Sequence, residues 1–98
     1  MHYLTYSGVP LLTSDAAADA TLAYCSALAQ SRITDVVRVP SIDAHGMPIR
    51  VAMVLGPAIP VLAVPAPDDE LESDDAVFVR DLEMRTAAVQ QGLFAGTE

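Results

Sequence analysis

The chain of 98 residues contains no Lys and no Trp, a single Cys, and only five aromatic residues, two Phe and three Tyr. Without Lys, all fixed cationic charge rests on Arg32, Arg38, Arg50, Arg80 and Arg85, against thirteen acidic residues, for a net charge of −8. A nucleic-acid partner needs cations that displace the counterions of phosphate, and five scattered Arg do not form a basic face. Neither nucleic acid nor an anionic membrane surface is therefore expected as a partner. The lone Cys25 excludes an intrachain disulfide and a thiolate metal cluster. The start, MHYLTYSGVPLL, lacks the basic segment and long apolar run of a secretory signal. A cytoplasmic location is the expectation.

With so few aromatics, the core has to come from Val, Leu, Ile, Met and Ala. Apolar residues make up 52% of the chain, which places it among globular proteins rather than disordered ones. The length suits one domain, residues 1–98. A small domain buries a limited share of its surface, so an aliphatic excess invites subunit contacts.

That excess is concentrated. Residues 51–67, VAMVLGPAIPVLAVPAP, carry no charged, hydroxyl or amide side chain in seventeen positions. DDELESDD follows at once, with six acids in eight residues. The apolar run is short for a membrane span of about 20 residues, and Gly56, Pro57, Pro60 and Pro65 interrupt it. Charge is lopsided too: residues 1–67 sum to −1, and residues 68–98 to −7.

The pattern predicts a strand over His2–Tyr6, a Ser7-Gly8 turn, and a return strand over Val9–Leu12 that Pro10 confines to a sheet edge. Thr13, Ser14 and Asp15 supply an N-cap and a first-turn acid for an Ala-rich helix from Asp15 to Gln30. Leu22, Cys25, Leu28 and Ala29 form its inward stripe. Ile33–Val39 and Ile49–Leu55 read as a hairpin around the turn-rich SIDAHGMP segment, with Ile49, Val51, Met53 and Leu55 opposed to Arg50, Ala52 and Val54. Ile59–Val64 follows as the next strand of a meander. Its two faces are both apolar, whereas a half-solvated antiparallel strand alternates. Ser73, Asp74 and Asp75 start a second helix over 74–91, with Phe78, Leu82, Val89 and Leu93 as its seam, helped by Val77, Met84 and Ala88, and with Gly92 as its stop.

The fold class expected is α+β, an antiparallel sheet of four or five strands with two helices on one face, in the order β(β)αβββα. The helices shield one side, which leaves the outer side for another copy of the chain.

Chemistry-bearing constellations are sparse. The acids Asp68, Asp69, Glu70, Glu72, Asp74 and Asp75 offer oxygen ligands to a divalent cation, without the spacing that wraps a loop around one. They read as a solvated connection that complements a helix start. Asp43 and His45 share the hairpin loop and are the candidates for a carboxylate–imidazole pair, although turn chemistry alone explains both residue types. Arg38 and Arg50 lie on paired strands and are the candidates for a small anion site. Tyr3, Tyr6 and Tyr24 are candidate pocket hydroxyls, and Cys25 on an inner helix face reads as an inert thiol. There is no Gly-rich phosphate loop, no G-x-S-x-G, no H-E-x-x-H and no C-x-x-C. No metal site and no cofactor are implied, and enzymatic activity stays open.

Leu4-Thr5-Tyr6, the stretch RVAMVLGPAIPVLAV from Arg50 to Val64, and the end from Phe78 to Glu98 resemble a family of small uncharacterised actinobacterial proteins of about this chain's length. The resemblance implies a short strand pair, a helix, a three-stranded meander and a closing helix. The aromatic-rich strands of that family are replaced here by aliphatics and Ala. The resemblance implies no activity and no site residues. The leading functional expectation is a self-associating, homodimeric binding or structural domain, whose acidic segment keeps it soluble or meets a basic partner. The alternative is a small enzyme or anionic-ligand-binding protein with its site at a subunit boundary.

Overall fold

The computed structural model describes residues 1–58, 60–66 and 75–92. In chain order the elements are β1 (His2–Tyr6), β2 (Val9–Thr13), α1 (Asp15–Ser31), β3 (Asp35–Ile42), β4 (Pro48–Leu55), β5 (Val61–Pro65) and α2 (Ala76–Gln90). The fold is α+β, with two helices and five strands in two antiparallel sheets.

Ser7 and Gly8 both take positive φ, 49° and 82°, between strands that pair Tyr6 with Val9. That is the backbone a tight two-residue hairpin turn requires. β2 is an edge strand, as Pro10 demands, in a sheet of order β2-β1-β5. The expected hairpin between β3 and β4 forms in the register that pairs Val37 with Met53 and Val39 with Val51. Alternate residues of that hairpin are buried: Val37, Val39, Met53 and Leu55.

The expected three-stranded meander does not form. β5 leaves β4 and pairs with β1, matching Leu4 with Ala63 and Tyr6 with Val61. The connection contains Pro57 and Pro60, which have no N–H to offer a ladder alongside β4. One sheet of four or five strands is thereby replaced by a three-stranded and a two-stranded sheet. The two sheets are stitched by side chains: Thr13 Oγ1 donates to the Pro40 carbonyl at 2.7 Å, and Ser41 Oγ donates to the Leu12 carbonyl at 2.8 Å.

α1 begins with Ser14 as N-cap, whose Oγ accepts from the Ala17 N–H at 3.1 Å. The same hydroxyl donates to Asp75 Oδ2 at 2.6 Å, and Asp75 is the N-cap residue of α2. One serine therefore ties the starts of both helices. The buried face of α1 is Ala17, Ala18, Ala20, Thr21, Tyr24, Ala27 and Leu28; of the expected stripe of Leu22, Cys25, Leu28 and Ala29, only Leu28 is fully buried. Leu22 and Cys25 sit half-buried at its border. α1 packs against α2 and also against β1, β3 and β5.

In α2, Phe78, Leu82 and Val89 are buried as expected, and Gly92 has φ 75° just past the end. Val77 and Met84 are exposed instead of joining the seam. Leu93 and the acidic residues 68–74 lie outside the described residues. Leu4, Tyr24, Leu28, Met53, Leu55 and Leu82 are the largest fully buried apolar side chains, and they join helices and both sheets in one core. No helix among the described residues is long and apolar enough to cross a membrane.

Candidate functional site

β3 and β4 bring Arg38 and Arg50 to one place. Arg38 is opposite Ala52 and Arg50 is opposite Pro40, so the two arginines are diagonal neighbours on the face turned away from Val37, Val39 and Met53. Long side chains reach across such a diagonal. Both line a cleft of about 330 Å³ whose other walls are Val36, Val37, Val77, Phe78, Asp81 and Arg85. α2 thus supplies half of a site whose other half is the β3–β4 hairpin.

Arg85 is held from two sides. Its Nη1 donates to Asp35 Oδ2 at 3.0 Å, and its Nε donates to Asp81 Oδ2 at 3.1 Å one helical turn back. Asp35 is 2% exposed and occupies an inward position in phase with Val37 and Val39. It also accepts from the Tyr24 hydroxyl at 2.5 Å and from the Val36 N–H at 2.9 Å. A carboxylate buried in this way needs such donors, because an unpaired charge there is strongly disfavoured. Burial, reinforced by the Asp35 hydrogen bond and charge, pushes the Tyr24 phenol well above its ordinary range. Burial alone would lower the Arg85 pKa, but the charges of Asp81 and Asp35 outweigh it and raise it. The network keeps Tyr24 neutral and Arg85 charged.

Neither Arg38 nor Arg50 has a carboxylate partner among the described residues, in a protein with many more acids than arginines. Asp43 and His45 are not part of the cleft. Asp43 Oδ1 accepts from the His45 N–H at 2.8 Å and the Met47 N–H at 3.0 Å, so its carboxylate shapes the β3–β4 turn. His45 is exposed. The three tyrosines also diverge. Tyr24 is in the core, Tyr3 is on the outer face of β1, and the Tyr6 hydroxyl caps the backbone of Val54. Cys25 is half-buried, and burial raises its thiol pKa, opposite to what a reactive thiolate needs. His2 Nδ1 lies 2.5 Å from Asp15 Oδ1 at the start of α1. That hydrogen bond, with the N-terminal ammonium 3.2 Å away, holds the Asp15 carboxyl below its usual range. Among the described residues no group of three or more His, Cys, Asp or Glu could hold a metal ion.

A second feature is the outer face of the β2-β1-β5 sheet. The register places Tyr3 between Leu12 and Val64, and Thr5 between Pro10 and Leu62. Leu62 is 60% exposed, Val64 43% and Tyr3 38%. None of these six side chains is charged. The opposite face, with Leu4, Leu11 and Ala63, packs into the core.

Arg85, Asp35 and Phe78 were not singled out as site residues by sequence reasoning. Two signals could have found Asp35 and Arg85: a carboxylate in phase with Val37 and Val39, and the i,i+4 spacing of Asp81 and Arg85. Comparison with protein-family models, curated proteins and solved structures returns no match for the chain.

Proposed function

We propose that the chain is a self-associating domain that forms a homodimer through the outer face of its β2-β1-β5 sheet. The observation that carries this reading is the contiguous uncharged face made by Tyr3, Thr5, Pro10, Leu12, Leu62 and Val64, with Leu62 mostly exposed. Contiguous exposed apolar surface rimmed by polar groups favours association, and a two-fold interface uses one patch against itself. A chain of net charge −8 repels its own copies over most of its surface. This face brings no like charges together, so a second copy fits it better than it fits the acidic remainder. A single free cysteine, Cys25, and no disulfide partner for it suit a reducing, cytoplasmic setting.

Leu62→Asp is the test. The side chain is exposed, so the substitution leaves the fold intact while placing a charge at the centre of the face. Light scattering should show a wild-type dimer and an L62D monomer with unchanged far-ultraviolet circular dichroism. Retention of the dimer by L62D would place the contact elsewhere and remove the reading.

A further inference from the structure

We propose that the cleft between the β3–β4 hairpin and α2 is a binding site for an organic phosphate monoester that carries a small apolar body. It lies on the two-stranded sheet, away from the dimer face proposed above, and rests on separate observations.

Arg38 and Arg50 supply the positive charge. Both line the cleft, and neither is neutralised by a carboxylate among the described residues. Arg85 with Asp35 and Asp81 sums to −1, so the cleft keeps one net positive charge from Arg38 and Arg50, and Arg85 adds donors rather than positive charge: its two ion pairs use Nη1 and Nε. Holding one guanidinium in advance reduces the ordering that binding would otherwise require.

The shape of the charge selects phosphate over carboxylate. A carboxylate has two oxygens, which one guanidinium fork satisfies. A phosphate monoester has three terminal oxygens arranged as a tripod, and these can meet forks arriving from separate strands and from a helix together. Asp81 at the same cleft disfavours ligands with extra negative charge around the head.

The remaining walls are apolar. Val36, Val37, Val77 and Phe78 line the cleft beside the arginines. Val77 is 82% exposed and Val36 is also exposed, so a bound apolar group would cover surface that is now wet. A volume of about 330 Å³ is at the small end of ligand clefts, which limits the body to roughly one ring.

The test is an NMR titration of the full chain at low ionic strength with phenyl phosphate, inorganic phosphate and benzoate. Phenyl phosphate should shift the amide signals of Val36, Arg38 and Phe78 and bind at least tenfold more tightly than either other probe. Arg38→Gln and Arg50→Gln, both at exposed strand positions, should each weaken it by tenfold or more, with circular dichroism unchanged. L62D, on the other sheet, should bind it as the wild type does. Equal binding of inorganic phosphate would overturn the apolar-body assignment, and equal binding of benzoate the phosphate assignment. Absence of phenyl phosphate binding, or binding indifferent to both arginines, would overturn the site.

Discussion

The Tyr24 hydroxyl donates to the buried Asp35 carboxylate across 2.5 Å, linking the middle of α1 to the first residue of β3. Tyr24 is fully buried, so no water can replace the bond if it is lost. A hydrogen bond to a charged acceptor contributes about 1.5–3 kcal/mol, and Tyr24→Phe should lower stability by about that amount. Urea denaturation measures it. A loss within error of zero would mean that the other partners of Asp35, Arg85 and the Val36 N–H among them, satisfy it without Tyr24.

The same bond has a signature in alkali. The Tyr24 phenol has a raised pKa in the folded protein, caused first by burial and then by the Asp35 bond. A group whose pKa is raised on folding stabilises fully below its unfolded value and loses that contribution as pH rises toward the folded one. The stability margin of the wild type over Y24F should be flat up to about pH 10 and narrow above it. Paired urea titrations from pH 7 to 11 give the margin directly. A margin that widens above pH 10 would contradict the sign.

Tyr6 protects a strand edge. Its hydroxyl donates to the Val54 carbonyl at 2.8 Å and accepts from the Val54 N–H at 3.2 Å. Exposed backbone edges are templates for unwanted pairing. Tyr6→Phe should cost about 1 kcal/mol, the net value of an ordinary hydrogen bond, and should speed hydrogen exchange at the Val54 amide. Unchanged exchange there would show that the hydroxyl protects nothing.

Gly56, at the exit of β4, has no room for a side chain. A Cβ built there would stand 2.6 Å from Thr34 Cγ2 and 3.4 Å from the Ile33 carbonyl oxygen. Gly56→Ala should destabilise by about 1–3 kcal/mol, the usual cost of overpacking. Adding Thr34→Ser removes the opposing methyl group and should restore most of the loss. Thermal melts of the single and double variants decide it.

Much of this architecture was legible in local pattern. Alternation separated the two faces of the β3–β4 hairpin, although Ile49 on the apolar face is exposed; Ser7-Gly8 marked the tight turn, and Pro10 marked the edge strand. The destination of β5 was not legible. An apolar strand satisfies any neighbouring edge, and the choice of β1 over β4 depends on how Pro57 and Pro60 steer the connection. The inner face of α1 was misread because Ala carries little hydrophobic signal, while Tyr24 is ambiguous between surface and core. Arg38 and Arg50 could be placed on paired strands from the pattern, but their sharing one face rests on the register, which the pattern leaves open. Arg85 reaches them only through the packing of α2, which no local spacing encodes.

Self-association is the central claim, and sedimentation equilibrium of the wild-type chain from 1 to 100 µM tests it most directly. The expected result is a concentration-dependent rise to twice the chain mass, abolished by Leu62→Asp. A single species of one chain mass across the whole range would contradict it, and would mean that Tyr3, Leu62 and Val64 face water in the working molecule.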